Sequence, residues 1–398
     1  MKPMRQISYR PAPVHQLLSS ALLLVMSSIM SAAAGPILEP TTFESISGWT
    51  EADHRIALET FGRSCDEIEA AGHAFARKVA YGGTRRDWLT VCHRLKAATD
   101  PRAFFEETFT PLIVHDPARP EGLFTGYFEP EAEGSRKPGG DYKVPIYARP
   151  ADLIAFDART AKRLGLAYGR MIGGRPQGYF TRREIEEGAL SDQRLELVWL
   201  KDWADAFFIQ VQGSGRVRLP DGGLLRLGFA AKTGQPYTGI GGLLVERGVL
   251  TRDDMSMQAI RAWMRDNPQA ARKLMWENKS FVFFREVTAG DPKLGPPGAQ
   301  KVSLTPFRSL AIDRSLWMFG TPVWLDTEVP KGRSGTLVPF KSLLVAQDTG
   351  TAIKGHARGD VFWGAGEDAA LTAGRMKSRG RMIVLLPKAL AKRLLQRQ

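Results

Sequence analysis

The sequence predicts a mainly β fold with helical additions, and three observations predict it. From Gly122 onward, short apolar or alternating runs are broken by glycine and proline, the punctuation of strands and turns. Before Gly122, and again between Gly241 and Glu277, apolar residues recur at helical spacing behind capping residues. After Glu277 the short strand-like runs return, so that helices separate two β-rich regions.

In chain order, the first element is a leader. Lys2, Arg5 and Arg10 precede an apolar run from Leu17 to Met30, and Ala32-Ala33-Ala34 stands before Gly35 and Pro36. Basic, then apolar, then small residues make a secretory signal peptide over residues 1–34, expected to be cleaved after Ala34. The apolar run is short and interrupted by serine, and no later stretch reaches the roughly 20 apolar residues of a spanning helix. No cysteine sits near the cleavage site, so no lipid anchor is expected, and the mature protein should be soluble and periplasmic. A chain of 398 residues is long enough for two domains with well-buried cores.

Lysine and arginine outnumber aspartate and glutamate by 55 to 42, a net charge of +13 that suits polyanions or anionic membranes. The basic residues lie among acidic ones without a long run, which argues against nucleic acid as partner. Cys65 and Cys92 are the only cysteines, and in an exported chain they suggest one disulfide. Closing that loop would stabilise the fold by about 3–4 kcal/mol on the chain-entropy model. With six dispersed histidines besides, neither a metal nor another cofactor is expected.

Residues 50–114 read as helical. Trp88, Val91, Cys92 and Leu95 follow helical spacing behind Thr84 and Asp87, which are placed to cap. Asp100-Pro101 reads as an N-cap with proline at the first helical position, opening a helix that carries Phe104, Phe105 and Phe109. A strand follows over 123–130. Residues 195–200 and 207–212 also read as strands, and Asp221-Gly222 marks a hairpin turn between 216–219 and 224–227. These strands form one compact β-domain ending near Ala231. Helices return with Thr251 and Asp254 spaced as a cap and Asn267-Pro268 as a stop and restart. Residues 281–284, 302–304, 322–325, 342–346 and 382–386 complete a second barrel or sandwich.

Two constellations could carry chemistry. Asp348-Thr349-Gly350 follows the apolar strand 343–346, and Asp360 lies further on, between a glycine-rich loop and Val361-Phe362-Trp363-Gly364. Aromatic faces pack on pyranose rings, glycine lets backbone approach a ligand, and a partly desolvated carboxylate has the raised pKa of a general acid. In the run from Phe207 to Gly215, strand alternation puts Phe208, Gln210 and Gln212 on one face, where glutamines can bond sugar hydroxyls and acetamido groups. Thr125, Tyr127 and Glu129 alternate likewise. Thr125, Tyr127, Gln210, Gln212, Ser214 and Trp363 are the candidate substrate-binding residues. Taken alone, each constellation also fits a solvated loop aspartate or an ordinary half-exposed strand.

The chain resembles the membrane-bound lytic murein transglycosylase A family. The segments that carry the resemblance, in order, are 124–130, 211–215, the run Asp253-Asp254-Met255-Ser256-Met257-Gln258-Ala259-Ile260-Arg261, 280–284, Asp313-Arg314-Ser315 and 348–360. The resemblance implies a double-psi β-barrel domain with helices, over 35–128 plus 232–398, interrupted by a smaller β-barrel over 129–231, with a groove for a glycan between them. It places the family's three barrel aspartates on Asp313, Asp348 and Asp360, with Asp360 as catalytic acid and Asp348 and Asp313 as supporting residues. The loop 355–359 is more basic and one residue longer than the family pattern. The implied partners are peptidoglycan glycan strands, with other cell-wall enzymes as further candidates. Cleavage would leave a 1,6-anhydro muramic acid end.

Three other readings compete. Asp348-Thr349-Gly350 also looks like an aspartic peptidase signature, but a second copy is missing and a homodimer would be needed. A water-using muramidase needs a second carboxylate, for which Glu129 or Asp348 would have to face Asp360. A non-catalytic wall-binding module would tolerate the loss of Asp360.

Overall fold

Capping and apolar spacing build the helical N-terminal region. The computed structural model describes residues 37–70, 78–117, 119, 121–252, 254–288, 291 and 293–397, so the expected signal peptide and Asp253 lie outside the described residues. Helices Arg55–Glu69 and Arg85–Leu95 are joined by the Cys65–Cys92 disulfide, with the two Cα atoms 5.3 Å apart. The second opens on a capping box in which the Asp87 carboxylate accepts from the Thr84 amide and hydroxyl, both at 2.8 Å. Asp100 accepts from the amides of Arg102 and Ala103 ahead of helix Pro101–Thr108. Helicity stops there rather than at Val114. Phe109–Val114 is a strand paired with Lys377–Pro387, as Pro111 cannot continue a helix and Phe109, Leu112 and Val114 face the core.

The strands Gly122–Glu129, Arg358–Ala365, Ser309–Ile312, Thr336–Asp348, Pro322–Lys331 and Lys377–Pro387 pair in that order, and the last pairs back with the first. They close a six-stranded barrel with two parallel pairings, Gly122–Glu129 on Arg358–Ala365 and Ser309–Ile312 on Thr336–Asp348. Phe124, Leu310, Val323, Leu344, Val361 and Val384 share one core with the N-terminal helices. The fold is thus mainly β with helices packed around a closed barrel.

At Pro130 the chain leaves this barrel for a second sheet. Its strands run in the order Val282–Val287, Leu224–Lys232, Ser214–Arg218, Glu131–Ser135, Glu196–Leu200 and Val144–Tyr147. Ala148, just past the last edge, bridges Phe284 on the first and draws the two edges together. The expected hairpin turn is present, with Asp221 accepting from the Gly223 amide at 2.8 Å. A separate three-stranded sheet holds Ile154–Ala155, Tyr168–Ile172 and Arg175–Gly178. Helices Ile240–Glu246, Met257–Asp266 and Pro268–Glu277 follow, the last two divided at Asn267-Pro268 as expected.

Four further expectations fail. Residues 207–212 belong to helix Trp203–Gln212, capped by Asp202 and ended by Gly213 at φ 79°. Ala204, Ala206, Phe207, Phe208, Ile209 and Gln210 are all buried, and a helix apolar on most sides has no 3.6-residue stripe to betray it. The strand expected at 281–284 joins the second sheet instead of the barrel. Residues 302–304 form no strand, only a bridge from Ser303 to Pro297. Thr251 and Asp254 do bond each other, but Ser256 caps the helix that follows. No described helix is long and apolar enough to cross a membrane. The described residues form one compact unit.

Candidate active site

Register alone brings the acids together. Ala311, on the short strand Ser309–Ile312, lies opposite Asp348 on one neighbouring strand and Asp360 on the other, and Asp360 in turn lies opposite Thr125. Residues in register on adjacent strands share a face. A bulge between Leu310 and Ala311 sets Asp348, the last residue of its strand, into this row. The face is not that of the main core, since Tyr127, Leu304, Ala311, Ile353 and Phe362 form a small apolar cluster of their own there. Ala311 stands between the two aspartates in the row.

Asp360 is partly accessible, and its Oδ1 accepts from the Thr125 hydroxyl at 2.6 Å. Arg358 donates to the same Thr125 oxygen at 2.8 Å. Because arginine can only donate, Thr125 must accept from Arg358 and is left with its proton to give to Asp360. The other carboxyl oxygen, Oδ2, has no hydrogen-bond partner among the described residues. Burial pushes the Asp360 carboxyl above the ordinary aspartate range, with the Arg358 charge and the Thr125 bond pulling the other way and the Asp348 charge adding to the rise.

Asp348 is dressed differently. Its Oδ2 accepts from the Tyr127 hydroxyl at 2.8 Å, and its Oδ1 accepts from the amides of Ala299 and Thr349, both at 2.9 Å. Burial still holds its carboxyl above the usual range, against these three donors. The Tyr127 phenol is raised well above its ordinary value by burial and by the carboxylates beside it, so it stays a donor. Asp313, one residue past the same short strand, goes the opposite way. Burial opposes its charge, but the hydroxyl and amide of Ser315 at 2.7 and 3.0 Å, the Gly355 amide at 3.2 Å and the Lys354 ammonium at 3.3 Å hold it below the ordinary range. It ties the loop before Asp360 to the barrel.

Of the residues singled out from sequence, Thr125, Tyr127, Asp348 and Asp360 come together on this face. Gln212 reaches the barrel from the end of its helix, where its Oε1 accepts from the Phe128 amide at 3.1 Å. Gln210 does not share its face: in a helix the two point apart, and Gln210 is buried with its Oε1 on the Val282 amide at 3.5 Å. Ser214 is buried at the start of its strand. Trp363 stands in the main core, between Phe307 and Phe340 with ring centroids 5.3 Å from each, and closes over Gly126. It is not with Asp360, because two positions that differ by an odd number along a strand face opposite ways. Glu129 is fully buried and bound by Arg216 at 2.7 Å and Arg226 at 2.9 Å. Sequence reasoning missed Arg358, although period two places it on the face of Asp360.

A family model described as the MltA specific insert domain matches residues 123–285, and one described as the 3D domain matches residues 308–386. The chain is 36% identical over 265 residues to a membrane-bound lytic murein transglycosylase A of Vibrio cholerae, an alignment covering 65% of this chain and 64% of that relative. It thus spans a little under two thirds of the length of that curated relative. It superposes on the crystal structure of a membrane-bound lytic murein transglycosylase from Agrobacterium tumefaciens with a TM-score of 0.81 and 33% identity, over 90% of this chain and 99% of the other. For the structure of Escherichia coli MltA with bound chitohexaose, the TM-score is 0.61 and the identity 28%, over 88% and 92%.

Proposed function

As the chain belongs to the membrane-bound lytic murein transglycosylase A family, we propose that it cuts peptidoglycan glycan strands with Asp360 as its one catalytic acid. The bond broken is the β-1,4 link from N-acetylmuramic acid to N-acetylglucosamine, and the product is a 1,6-anhydro muramic acid end. The observation that supports a single acid is the unequal dressing of the two carboxylates beside Ala311. Asp360 has one hydroxyl donor and a spare oxygen, whereas Asp348 accepts from three donors. Glu129 is held between two arginines and is poorly placed to act as a base.

Protonated Asp360 gives its proton from Oδ2 to the glycosidic oxygen as that oxygen leaves C1 of the muramic acid with the bonding pair. Now ionised, Asp360 takes the proton of the same sugar's C6 hydroxyl, whose oxygen bonds to C1 and closes the anhydro ring. No water is consumed, and a nucleophile within the reacting sugar needs no separate binding. One carboxyl must serve first as acid and then as base. Burial and Asp348 favour the first state, Arg358 and Thr125 the second. Asp313 and Asp348 act as supports that hold the loops around Asp360, Tyr127 steadies Asp348 through its hydroxyl, and Gln212 is the glutamine that would meet the glycan. The related protein with bound chitohexaose supports a sugar-chain ligand. The leader over 1–34 would deliver the enzyme to the periplasm, where this substrate lies.

Mass spectrometry of muropeptides released from purified sacculi tests the reading. Anhydro ends with the chain from Gly35 onward, absent with Asp360→Asn, are the expected result. Reducing ends would replace it by hydrolysis with a second carboxylate, and no release at all would leave a wall-binding module.

A further inference from the structure

Basic residues do not lie among acidic ones everywhere. Between Asp157 and Glu184 the chain has no acidic residue, while it carries Arg159, Lys162, Arg163, Arg170 and Arg175 among its cations. The helix Ala158–Leu164 buries no side chain, and spacing of three and four puts Arg159, Lys162 and Arg163 on one of its faces. It leads into the hairpin of Tyr168–Ile172 and Arg175–Gly178, with Leu166 of the connection set against Gly178. The acids that feel these cations, Asp157 and Glu184, stand at the two ends of the stretch.

The hairpin turns at Gly173 and Gly174, whose φ values of 55° and 75° are those of a two-residue turn with both central residues left-handed. Just before the turn, Met171 and Ile172 are 51% and 42% exposed. Consecutive strand residues point to opposite faces, so the tip is aliphatic on both sides. Behind it, Arg170 lies 3.7 Å from the centroid of the Phe180 ring, and Arg175 faces Ile172 across the hairpin. A sugar-binding surface would offer aromatic faces and amides, whereas this one offers two aliphatic chains at the turn, Arg170 and Arg175 beside them in the hairpin, and three more cations on the preceding helix.

We propose that this hairpin and its helix dock on an anionic lipid bilayer, with Met171 and Ile172 entering the headgroup layer and the cations beside them meeting lipid phosphates. Exposed apolar residues taken singly are ordinary, and cations alone adsorb to any anion. Their combination in one short helix and hairpin is what a membrane surface rewards, since apolar burial and charge attraction add there. Nothing in this proposal depends on the chemistry of Asp360.

Cosedimentation with vesicles tests it, using the chain from Gly35 onward so that the leader's apolar run takes no part. The expected result is binding to phosphatidylcholine mixed with phosphatidylglycerol and not to phosphatidylcholine alone. Each cation removed should cost about fivefold in affinity, so Arg159→Gln, Lys162→Gln and Arg163→Gln together should cost roughly a hundredfold. Met171→Asp with Ile172→Asp, at exposed positions that leave the fold intact, should weaken binding at least about tenfold. Failure of the unaltered protein to bind the mixed vesicles overturns the proposal. So does unchanged binding by either variant, since the surviving attraction would then be non-specific charge or lie elsewhere on the surface.

Discussion

Asp313 continues the strand Ser309–Ile312, and Asp360 pairs with that strand's Ala311, so the two carboxylates stand within a few residues of each other on one barrel edge. Around Asp313 are two amides, a hydroxyl and an ammonium. Around Asp360 there is one hydroxyl, itself steered by an arginine. The first carboxylate is held below its ordinary range and the second above it. Burial opposes the charge of both, and the balance between burial and donors sets the direction, as Asp348 shows by staying raised against three donors. At Asp313 four donors outweigh burial and lock an anion that ties a loop, whereas at Asp360 burial wins and the carboxyl is left able to change state.

The largest test of this contrast is Asp360→Asn. Glycan cleavage should fall by roughly 10²–10⁴-fold, the range of a positioned general acid. Stability should move the other way. A carboxyl whose folded pKa is raised loses folded-state stability as pH climbs from the unfolded value through the raised one, and the amide escapes that loss. Thermal melts should show the variant gaining on the parent as pH goes from acid to neutral.

Asp313→Asn should do the reverse, lowering stability at neutral pH by about 1–3 kcal/mol through lost charge-assisted bonds, with a smaller effect on turnover. Because the folded pKa of Asp313 is depressed, its contribution is present above the unfolded value and disappears as pH falls through the folded one. The two melting curves should therefore converge in acid. Loss of turnover at unchanged melting temperature would break the contrast.

Arg358→Gln sharpens it from the side of the donors. Arg358 favours the ionised form of Asp360, so its removal should move the alkaline limb of the pH–rate profile to higher pH and cost about tenfold in turnover, one bond's worth to a charged group. A fall in activity with the limb unmoved would make Arg358 merely structural. The smallest effect is expected for Thr125→Val, a few-fold loss with the limb displaced the same way, and Thr125→Ser should restore both because it keeps the hydroxyl.

Much of the fold was legible where local rules decide. Thr84 with Asp87 and Asp100 with Pro101 announced two helices, and Asp221-Gly222 announced a hairpin, because caps and tight turns draw on neighbours in sequence. The helix Trp203–Gln212 was misread although Asp202 and Gly213 mark its ends, since burial on nearly every side erased its period. That one error put Gln210 and Gln212 on a common face that they do not share. Trp363 was drawn toward a sugar by proximity in sequence to Asp360, where strand alternation sends it into the core.

By itself the sequence determined which residue types stood ready: a signal-like leader, two cysteines, and aspartates placed beside an apolar strand and a glycine-rich loop. Only the tertiary structure decided what surrounds each aspartate. Thr125, Ala299 and Ala311 come to Asp348 and Asp360 from strands and loops far from them in the chain, through the closing of a barrel with a register shift between Leu310 and Ala311. A carboxyl's pKa depends on how many donors and how much water reach it in space, and sequence spacing does not encode that distance.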